Sequence, residues 1–223
     1  MKRRCFLASL STAALAGSLF GCKPSAREDN AVKQDNAVQD NAVGSVNANS
    51  APEENVMDYR QKKKLVIYFS LTGNTRRVAQ RTADLLGVET FEIVPTVPYP
   101  TEYDIVVKQA KDEQDRDFRP EIVSLCDQLA EAEVVFLGSP CWWGTVAMPV
   151  MTFLERSDFT GKIIVPFMTH GGSKFGRTLA DLDKFCPKAT RLEGLTVFAD
   201  DVSRSDSQVQ RWLVSLGMIA ENA

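Results

Sequence analysis

The sequence predicts an α/β protein built on a doubly wound, five-stranded parallel sheet with helices on both faces. Apolar runs at 65–69, 134–137 and 163–167 show no polar alternation, which is typical of central parallel strands covered on both sides. Segments with apolar residues at helical spacing lie between the strands, and this alternation favours a doubly wound sheet. Each buried strand runs into a loop of small, hydroxylated, aromatic or glycine residues, so these loops are expected at one edge of the sheet.

Residues 1–21 have the layout of a signal peptide. Basic residues at 2–4 precede a small-residue apolar run that ends in Leu19-Phe20-Gly21-Cys22, and this run is shorter than the about 20 residues that a membrane-spanning helix needs. Arg3-Arg4 resembles a twin-arginine export motif. Residues 19–22 resemble a bacterial lipobox, in which Cys22 would become the lipidated N-terminus. The alternatives are an uncleaved anchor and a general secretory signal with incidental arginines.

Residues 22–60 are predicted to form a disordered tether. Asp-Asn-Ala-Val occurs at 29–32, 35–38 and 40–43, and the segment has almost no large apolar side chains to offset the entropy lost on ordering. Residues 61–223 form the predicted folded domain. Without residues 1–21, the chain carries 23 basic and 29 acidic residues. This balance disfavours nucleic acid as a partner and is compatible with steering to basic surfaces of redox partner proteins.

The strand at 65–69 leads into Ser70-Leu71-Thr72-Gly73-Asn74-Thr75 and then into a helix. The helix is predicted from one apolar face, which is formed by Val78, Thr82, Leu85 and Leu86. Backbone N–H groups at a helix start converge on an anion, and Gly73 permits a close approach of the backbone. The loop offers hydroxyls and amides but no cation, and it lacks the Walker and Rossmann patterns. It therefore predicts a phosphomonoester site; the alternative is a turn in which Thr72 or Asn74 caps the helix.

The chain between the first and second buried strands gives three further predictions. Residues 89–93 alternate between apolar and polar, which predicts an edge strand. Residues 101–104 resemble a capping box that starts a helix, with one side formed by Tyr103, Val107 and Ala110. A second helix is predicted from Glu121 through Leu125 and Leu129.

The other two buried strands also end in distinctive loops. The strand at 134–137 leads into 138–144, where Trp142 and Trp143 are adjacent. Neighbouring side chains point in different directions, so this pair suits an aromatic ligand better than a core; the alternative is packing at the next helix start. The strand at 163–167 leads into 168–176, which contains the only histidine, His170. A strand at 194–199 and an amphipathic helix around Trp212 complete the predicted domain.

Residues 68–75 resemble the phosphate loop of flavodoxins, whose pattern is Thr or Ser, any residue, and Thr-Gly-Asn-Thr. The two later loops match in order, and the resemblance extends from about Lys64 to the C-terminus. It implies a short-chain flavodoxin-like domain that binds FMN, with one of Trp142 and Trp143 stacked on the flavin. It also implies that Gly144 permits the peptide reorientation that follows one-electron reduction. The cofactor-binding residues implied by this resemblance are Ser70, Leu71, Thr72, Gly73, Asn74, Thr75, Pro140, Cys141, Trp142, Trp143, Gly144, Thr169, His170, Gly171, Gly172 and Phe175.

Two of these residues have open alternatives. His170 is interpreted either as a flavin contact or as a solvated loop side chain. Phe175 either supplies a second stacking face or begins the next helix. Among the cysteines of the predicted domain, Cys126, Cys141 and Cys186 lack Cys-x-x-Cys spacing, and Cys141 is interpreted as a small loop residue rather than a redox thiol.

The resemblance implies an exported electron carrier on the periplasmic or cell-surface side of a bacterial membrane. Its expected partners are unidentified redox proteins and, through a lipid on Cys22, that membrane. No catalytic residue is assigned because the flavin would carry the chemistry, and a single histidine excludes a histidine metal cluster. The alternatives are an NAD(P)H-dependent quinone or flavin reductase on the same fold and a flavin-free binding module.

Overall fold

The computed structural model describes residues 59–221. The predicted signal peptide, Cys22 and nearly all of the predicted tether lie outside the described residues. The strands are β1 (Lys64–Tyr68), β2 (Thr90–Glu92), β3 (Val134–Trp142), β4 (Thr145–Val146), β5 (Ile163–His170), β6 (Thr190–Arg191) and β7 (Leu195–Phe198). The α-helices are α1 (Asn74–Leu86), α2 (Tyr103–Asp115), α3 (Met148–Arg156), α4 (Thr178–Phe185) and α5 (Asp206–Ser215), and 3₁₀ helices cover Asp127–Ala130 and Ala199–Arg204. None of the helices among these residues is long and apolar enough to cross a bilayer.

The predicted α/β fold is confirmed. The sheet runs in the order β2-β1-β3-β5-β6 with parallel pairing, and β7 also pairs with β5. The fifth position is therefore shared by two short strands, with Thr190 beside Ile163 and Leu195 beside Phe167. The sequence indicated only the second of them, because a two-residue strand carries no periodic pattern.

Both faces of the sheet are covered, as the unbroken apolar runs require. Leu65, Ile67 and Phe69 belong to one buried cluster, which includes side chains of α2, α3 and α4. Val66 and Tyr68 belong to the opposite cluster, which is formed with α1 and α5. Tyr59 is buried in that second cluster, so ordered packing reaches two residues before the predicted domain start at 61.

The predicted helix from Glu121 to Leu129 is wrong over most of its length. Ile122 forms an antiparallel bridge with Pro95, and the Val123 N–H donates to the Val94 carbonyl oxygen at 2.8 Å. Only Asp127–Ala130 is helical, as a single 3₁₀ turn. The backbone at the start of this segment is therefore bonded to the chain after β2.

The helix predicted to start at residues 101–104 is present as α2, but the predicted capping box is absent. Glu102 is the N-cap residue of α2, and no side chain within the described part of the chain caps that terminus. The helix buries Val106 and Ala110, whereas Tyr103 is 79% exposed.

Candidate functional site

A cavity of about 450 Å³ lies at the carboxyl ends of β1, β3 and β5. Its volume falls within the usual range for small-molecule sites. The three predicted loops meet there and contribute Leu71, Thr72, Asn74, Thr75, Pro140, Cys141, Trp142, Trp143, Thr169, His170 and Gly171. The remaining lining residues come from α2 and from the chain after β7, and they are Tyr103, Val106, Val107, Ala110 and Ala199.

The first loop forms a helix N-terminus open to an anion. Gly73 is the N-cap residue of α1 at φ 92° and ψ −10°, and no side chain in the described range caps the helix; the alternative of a Thr72 or Asn74 cap is therefore wrong. The Gly73 N–H donates to Ser70 Oγ at 3.1 Å. Because no side chain fills this terminus, its backbone donors and the positive end of the helix dipole suit a phosphate.

The two arginines that follow the loop are engaged elsewhere. Arg76 forms an ion pair with Glu92, and Arg77 donates to the Ser203 carbonyl oxygen at 3.2 Å. Thr75 lines the cavity, and its hydroxyl is 2.8 Å from the Thr169 hydroxyl. The first and third loops are thus joined by a buried hydrogen bond. Because both arginines are engaged elsewhere, the first loop offers an anion only neutral N–H and O–H donors.

The second loop is a β-hairpin rather than an irregular loop. β3 extends to Trp142 and pairs antiparallel with β4, with Trp142 opposite Thr145. Trp143 (φ 50°) and Gly144 (φ 82°) form the two-residue turn, and positive φ at both positions is the requirement of a type I′ turn. The Gly144 carbonyl oxygen accepts the Arg177 N–H at 2.7 Å, so this peptide is tied to the third loop region.

A glycine contact holds the hairpin close to the third loop. A Cβ atom on Gly176, which lies at φ 51°, would be 2.3 Å from the Gly144 oxygen. Only glycine permits both this approach and this backbone conformation. The hairpin tip is also joined to α4 by the Thr145 hydroxyl, which donates to the Asp181 carboxylate.

The two tryptophans of the hairpin have different environments. Trp142 packs edge-on against Phe69, with ring centroids 5.5 Å apart, and against Tyr99, at 5.0 Å. Trp143 is 48% exposed, and its indole N–H donates to the Val107 carbonyl oxygen at 3.0 Å. The Lys111 ammonium lies 5.7 Å from its ring centroid. Trp143 thus joins the hairpin to α2 and retains exposed ring surface beside the cavity.

Tyr99, which packs against Trp142, forms a buried hydrogen bond with Glu113. Glu113 is 3% exposed, and its carboxylate accepts hydrogen bonds from the Tyr99 hydroxyl at 2.5 Å and from the Gln109 amide at 2.8 Å. Burial, assisted by the neighbouring Glu113 carboxylate, raises the pKa of Tyr99. Tyr99 therefore acts as a neutral donor that links its own segment to α2.

The third loop brings His170 into the cavity wall. Its Nδ1 accepts the Gly172 N–H at 2.9 Å, and its ring packs edge-on against Phe198, with centroids 5.8 Å apart. Burial lowers the pKa of His170, and the positive charge of Lys174 lowers it further. The imidazole is thus neutral at pH 7.

Five predicted residues do not line the cavity. Ser70, Gly73, Gly144 and Gly172 shape its walls through the backbone geometry and hydrogen bonds given above. Phe175 packs against the core beside Gly194, where an added Cβ would be 2.6 Å from the Phe175 ring. The thiol of Cys141 lines the cavity, and burial raises its pKa, which keeps it protonated at pH 7.

The sequence interpretation missed the contribution of α2 to the site. Tyr103, Val107 and Ala110 were placed on one side of that helix, but the side was not assigned to the cavity. Their apolar character beside the aromatic hairpin is the signal that could have indicated it. Among residues 59–221, no group of three or more metal-ligating side chains is close enough to hold an ion.

This chain matches one protein-family model and is similar to solved flavoprotein structures. A family model described as Flavodoxin matches residues 63–216. The structure of a candidate flavoprotein from Bacteroides eggerthii is 30% identical, with a TM-score of 0.62 and coverage of 70% of this chain and 98% of that chain. A flavoprotein in complex with FMN from Lactobacillus acidophilus is 22% identical, with a TM-score of 0.53 and coverage of 68% and 98% of the two chains.

A curated relative carries an enzyme name. It is the NAD(P)H dehydrogenase (quinone) of Geotalea daltonii, which is 27% identical over 127 residues, or 50% of this chain. The chain spans 61% of the length of that relative.

Proposed function

The chain belongs to the flavodoxin family, and on that premise we propose that its folded domain binds FMN non-covalently and serves as an electron carrier. Bound FMN would accept and release one or two electrons, while the protein provides binding, orientation and exclusion of water. The phosphate would lie at the N-terminus of α1, and the ring between Trp143 and the third loop. The FMN complex of the Lactobacillus acidophilus neighbour agrees with this choice of cofactor.

One observation carries the proposal: a helix N-terminus without a side-chain cap opens into the same cavity as an exposed tryptophan face. A phosphate and a flat aromatic ring are the two parts of FMN. The absence of a lysine or arginine from the loop 70–75 favours a phosphomonoester over a triphosphate, which needs a cation for its higher charge.

The visible spectrum of the purified domain, without its signal and tether, tests the proposal. We expect a yellow protein, or a colourless one that binds added FMN and quenches its fluorescence at a 1:1 ratio. Stepwise reduction should give a stable one-electron-reduced form with its own absorbance band. A colourless domain that fails to bind FMN would support the flavin-free binding module instead.

An NAD(P)H-dependent quinone reductase is the second candidate. The apolar side of α2, which extends the cavity beyond the three loops, favours it because a planar apolar substrate needs such a wall next to the flavin. The name of the Geotalea daltonii relative points the same way. Rapid oxidation of NADH or NADPH by the FMN-loaded domain, accelerated by a quinone, would favour the reductase, and slow oxidation would favour the carrier.

We also propose that the protein is exported and held at a bacterial membrane by a lipid on Cys22. The proposal rests on the order of basic residues, apolar run and lipobox-like residues in 1–22. Residues 23–58 would let the domain reach redox proteins at some distance from the membrane. A twin-arginine route is consistent with FMN insertion before export, because that route carries folded proteins.

A further inference from the structure

The hydrogen bond between Gly172 and His170 determines where the imidazole carries its proton. Nδ1 accepts the Gly172 N–H, so it presents a lone pair and cannot itself be protonated. A neutral imidazole has one donor and one acceptor nitrogen, and the lowered pKa of His170 keeps it neutral at pH 7. The proton is therefore on Nε2.

The Nε2–H group is the unused donor of this ring. His170 is 9% exposed and lines the cavity, and Nε2 makes no hydrogen bond to any residue in the described range 59–221. The Phe198 ring packs edge-on against the imidazole, which restricts its rotation. A donor fixed in a cavity wall is stabilised by a ligand that brings an acceptor.

We propose that His170 is a cofactor-binding residue whose Nε2–H donates a hydrogen bond to a carbonyl oxygen of the bound flavin ring, with the Gly172 N–H fixing the tautomer that makes this possible. The inference rests on the proposed function, because FMN supplies the acceptor. The carbonyl edge of a flavin gains electron density on reduction, so a neutral donor at this edge strengthens its hydrogen bond in the reduced form. His170 thereby favours reduced over oxidised FMN.

The tautomer is measured directly by nitrogen NMR. His170 is the only histidine in the protein, so a ¹⁵N-labelled full chain gives one pair of imidazole nitrogen signals without assignment. Before FMN is added, we expect Nε2 at the shift of a protonated nitrogen and Nδ1 at that of an unprotonated one. A ring protonated on Nδ1, or an equal mixture of the two tautomers, overturns the proposal.

Two amide variants distinguish the effect of the Nε2–H donor of His170 from that of its Nδ1 acceptor. His170→Asn places an oxygen near the position of Nδ1 and preserves the bond from Gly172, but it provides no donor at the position of Nε2. His170→Gln reaches further and places an amide N–H near Nε2. We expect the Asn variant to bind oxidised FMN about three- to tenfold more weakly than the wild type and reduced FMN more weakly still, while the Gln variant remains closer to the wild type in both.

Fluorescence titration gives the FMN affinity, and the midpoint potential gives the ratio of affinities for the two redox states. A lower potential in His170→Asn than in His170→Gln supports the proposal. Equal affinities and equal potentials in the wild type and His170→Asn overturn it. A wild-type chain that shows the expected tautomer but binds no FMN overturns the proposed function and the flavin contact together, while the geometry of the Gly172–His170 bond stands.

Discussion

The roles of Trp142 and Trp143 separate at the level of single residues. Trp142 has two aromatic neighbours, Phe69 and Tyr99, so removing it leaves a gap in packed surface. Trp143 has an exposed ring face and one hydrogen bond to α2, so removing it mainly takes away surface that would contact the proposed flavin. Trp142 is the last residue of β3 and Trp143 is the first turn residue, with φ 50°, so the two neighbouring rings lie in different environments.

The first prediction follows from that division. Trp142→Ala should lower the free energy of unfolding by about 3 kcal/mol, as expected for a large aromatic side chain lost from a packed site. Trp143→Ala should change the stability much less but weaken FMN binding about fivefold, because a stacked aromatic pair contributes about 1 kcal/mol beyond area burial. Urea unfolding and FMN fluorescence titration measure the two effects. A larger stability loss in Trp143→Ala than in Trp142→Ala would contradict the assignment.

At the level of elements, the sequence predicted best where local pattern and tertiary environment agree. β1, β3 and β5 are buried on both faces, and their unbroken apolar runs predict this burial. The segment 121–129 has apolar residues at nearly helical spacing, but its backbone partners, Val94 and Thr96, are distant in sequence. Nothing local reveals such partners, so the helix was predicted wrongly. The hairpin after β3 escaped prediction because a positive φ at Trp143 is rare for an aromatic residue.

The N-terminus of α1 gives the second prediction, with the C-terminus of the same helix as its control. Gly73 (φ 92°) and Gly87 (φ 66°) both lie in the left-handed region, and an added Cβ meets no atom of the described residues within 4 Å at either site. Gly73→Ala and Gly87→Ala should each cost about 1 kcal/mol of stability through backbone strain. Only Gly73→Ala should also weaken FMN binding, because it distorts the N–H groups that would face the phosphate.

Thermal unfolding and FMN titration of the two alanine variants distinguish these effects. Riboflavin, which lacks the phosphate, provides a further check. Its affinity should differ less between Gly73→Ala and the wild type than the affinity for FMN does. Equal losses of FMN affinity in the two variants would exclude the N-terminus of α1 as the phosphate site.

The buried bond between Tyr99 and Glu113 anchors α2, and it gives the third prediction. Tyr99→Phe should lower the free energy of unfolding by about 1–3 kcal/mol, because it removes a donor from a buried carboxylate. Tyr103→Phe is the matched control, since its ring is 79% exposed and should leave the stability nearly unchanged. Chemical denaturation at pH 7 compares the two variants with the wild type.

The same bond makes the stability depend on alkaline pH. The pKa of Tyr99 in the folded chain lies above its ordinary value of 10.0, so the folded chain retains a proton that the unfolded chain releases near pH 10. The contribution of Tyr99 is therefore complete below about pH 10 and is lost as the pH rises above it. The difference in stability between the wild type and Tyr99→Phe should narrow above pH 10. A constant difference from pH 8 to pH 11 would show that Tyr99 ionises freely.

At the scale of the whole molecule, the position of the site follows from the strand order. The chain passes from β1 outward to β2 and then returns to β3 on the other side of β1. The helices that follow β1 and β3 consequently lie on opposite faces, and a crevice opens between the carboxyl ends of these strands. The alternation of strands and helices in the sequence predicted this arrangement. The entry of α2 into the crevice depends on contacts such as Trp143 with Val107, which join residues distant in sequence.

The last prediction concerns how the whole chain would be placed in the cell. If Cys22 carries a lipid, the wild type should sediment with membranes and incorporate a labelled fatty acid. Cys22→Ser should lose the label and move to the soluble fraction, while the domain keeps its FMN affinity because no described residue of the site lies near position 22 in sequence. Cys5→Ser is the matched control, since it alters a cysteine in residues 1–21 without touching the lipobox-like residues. Membrane association that persists in Cys22→Ser would contradict the lipid anchor. It would favour an uncleaved N-terminal segment that holds the domain at the membrane.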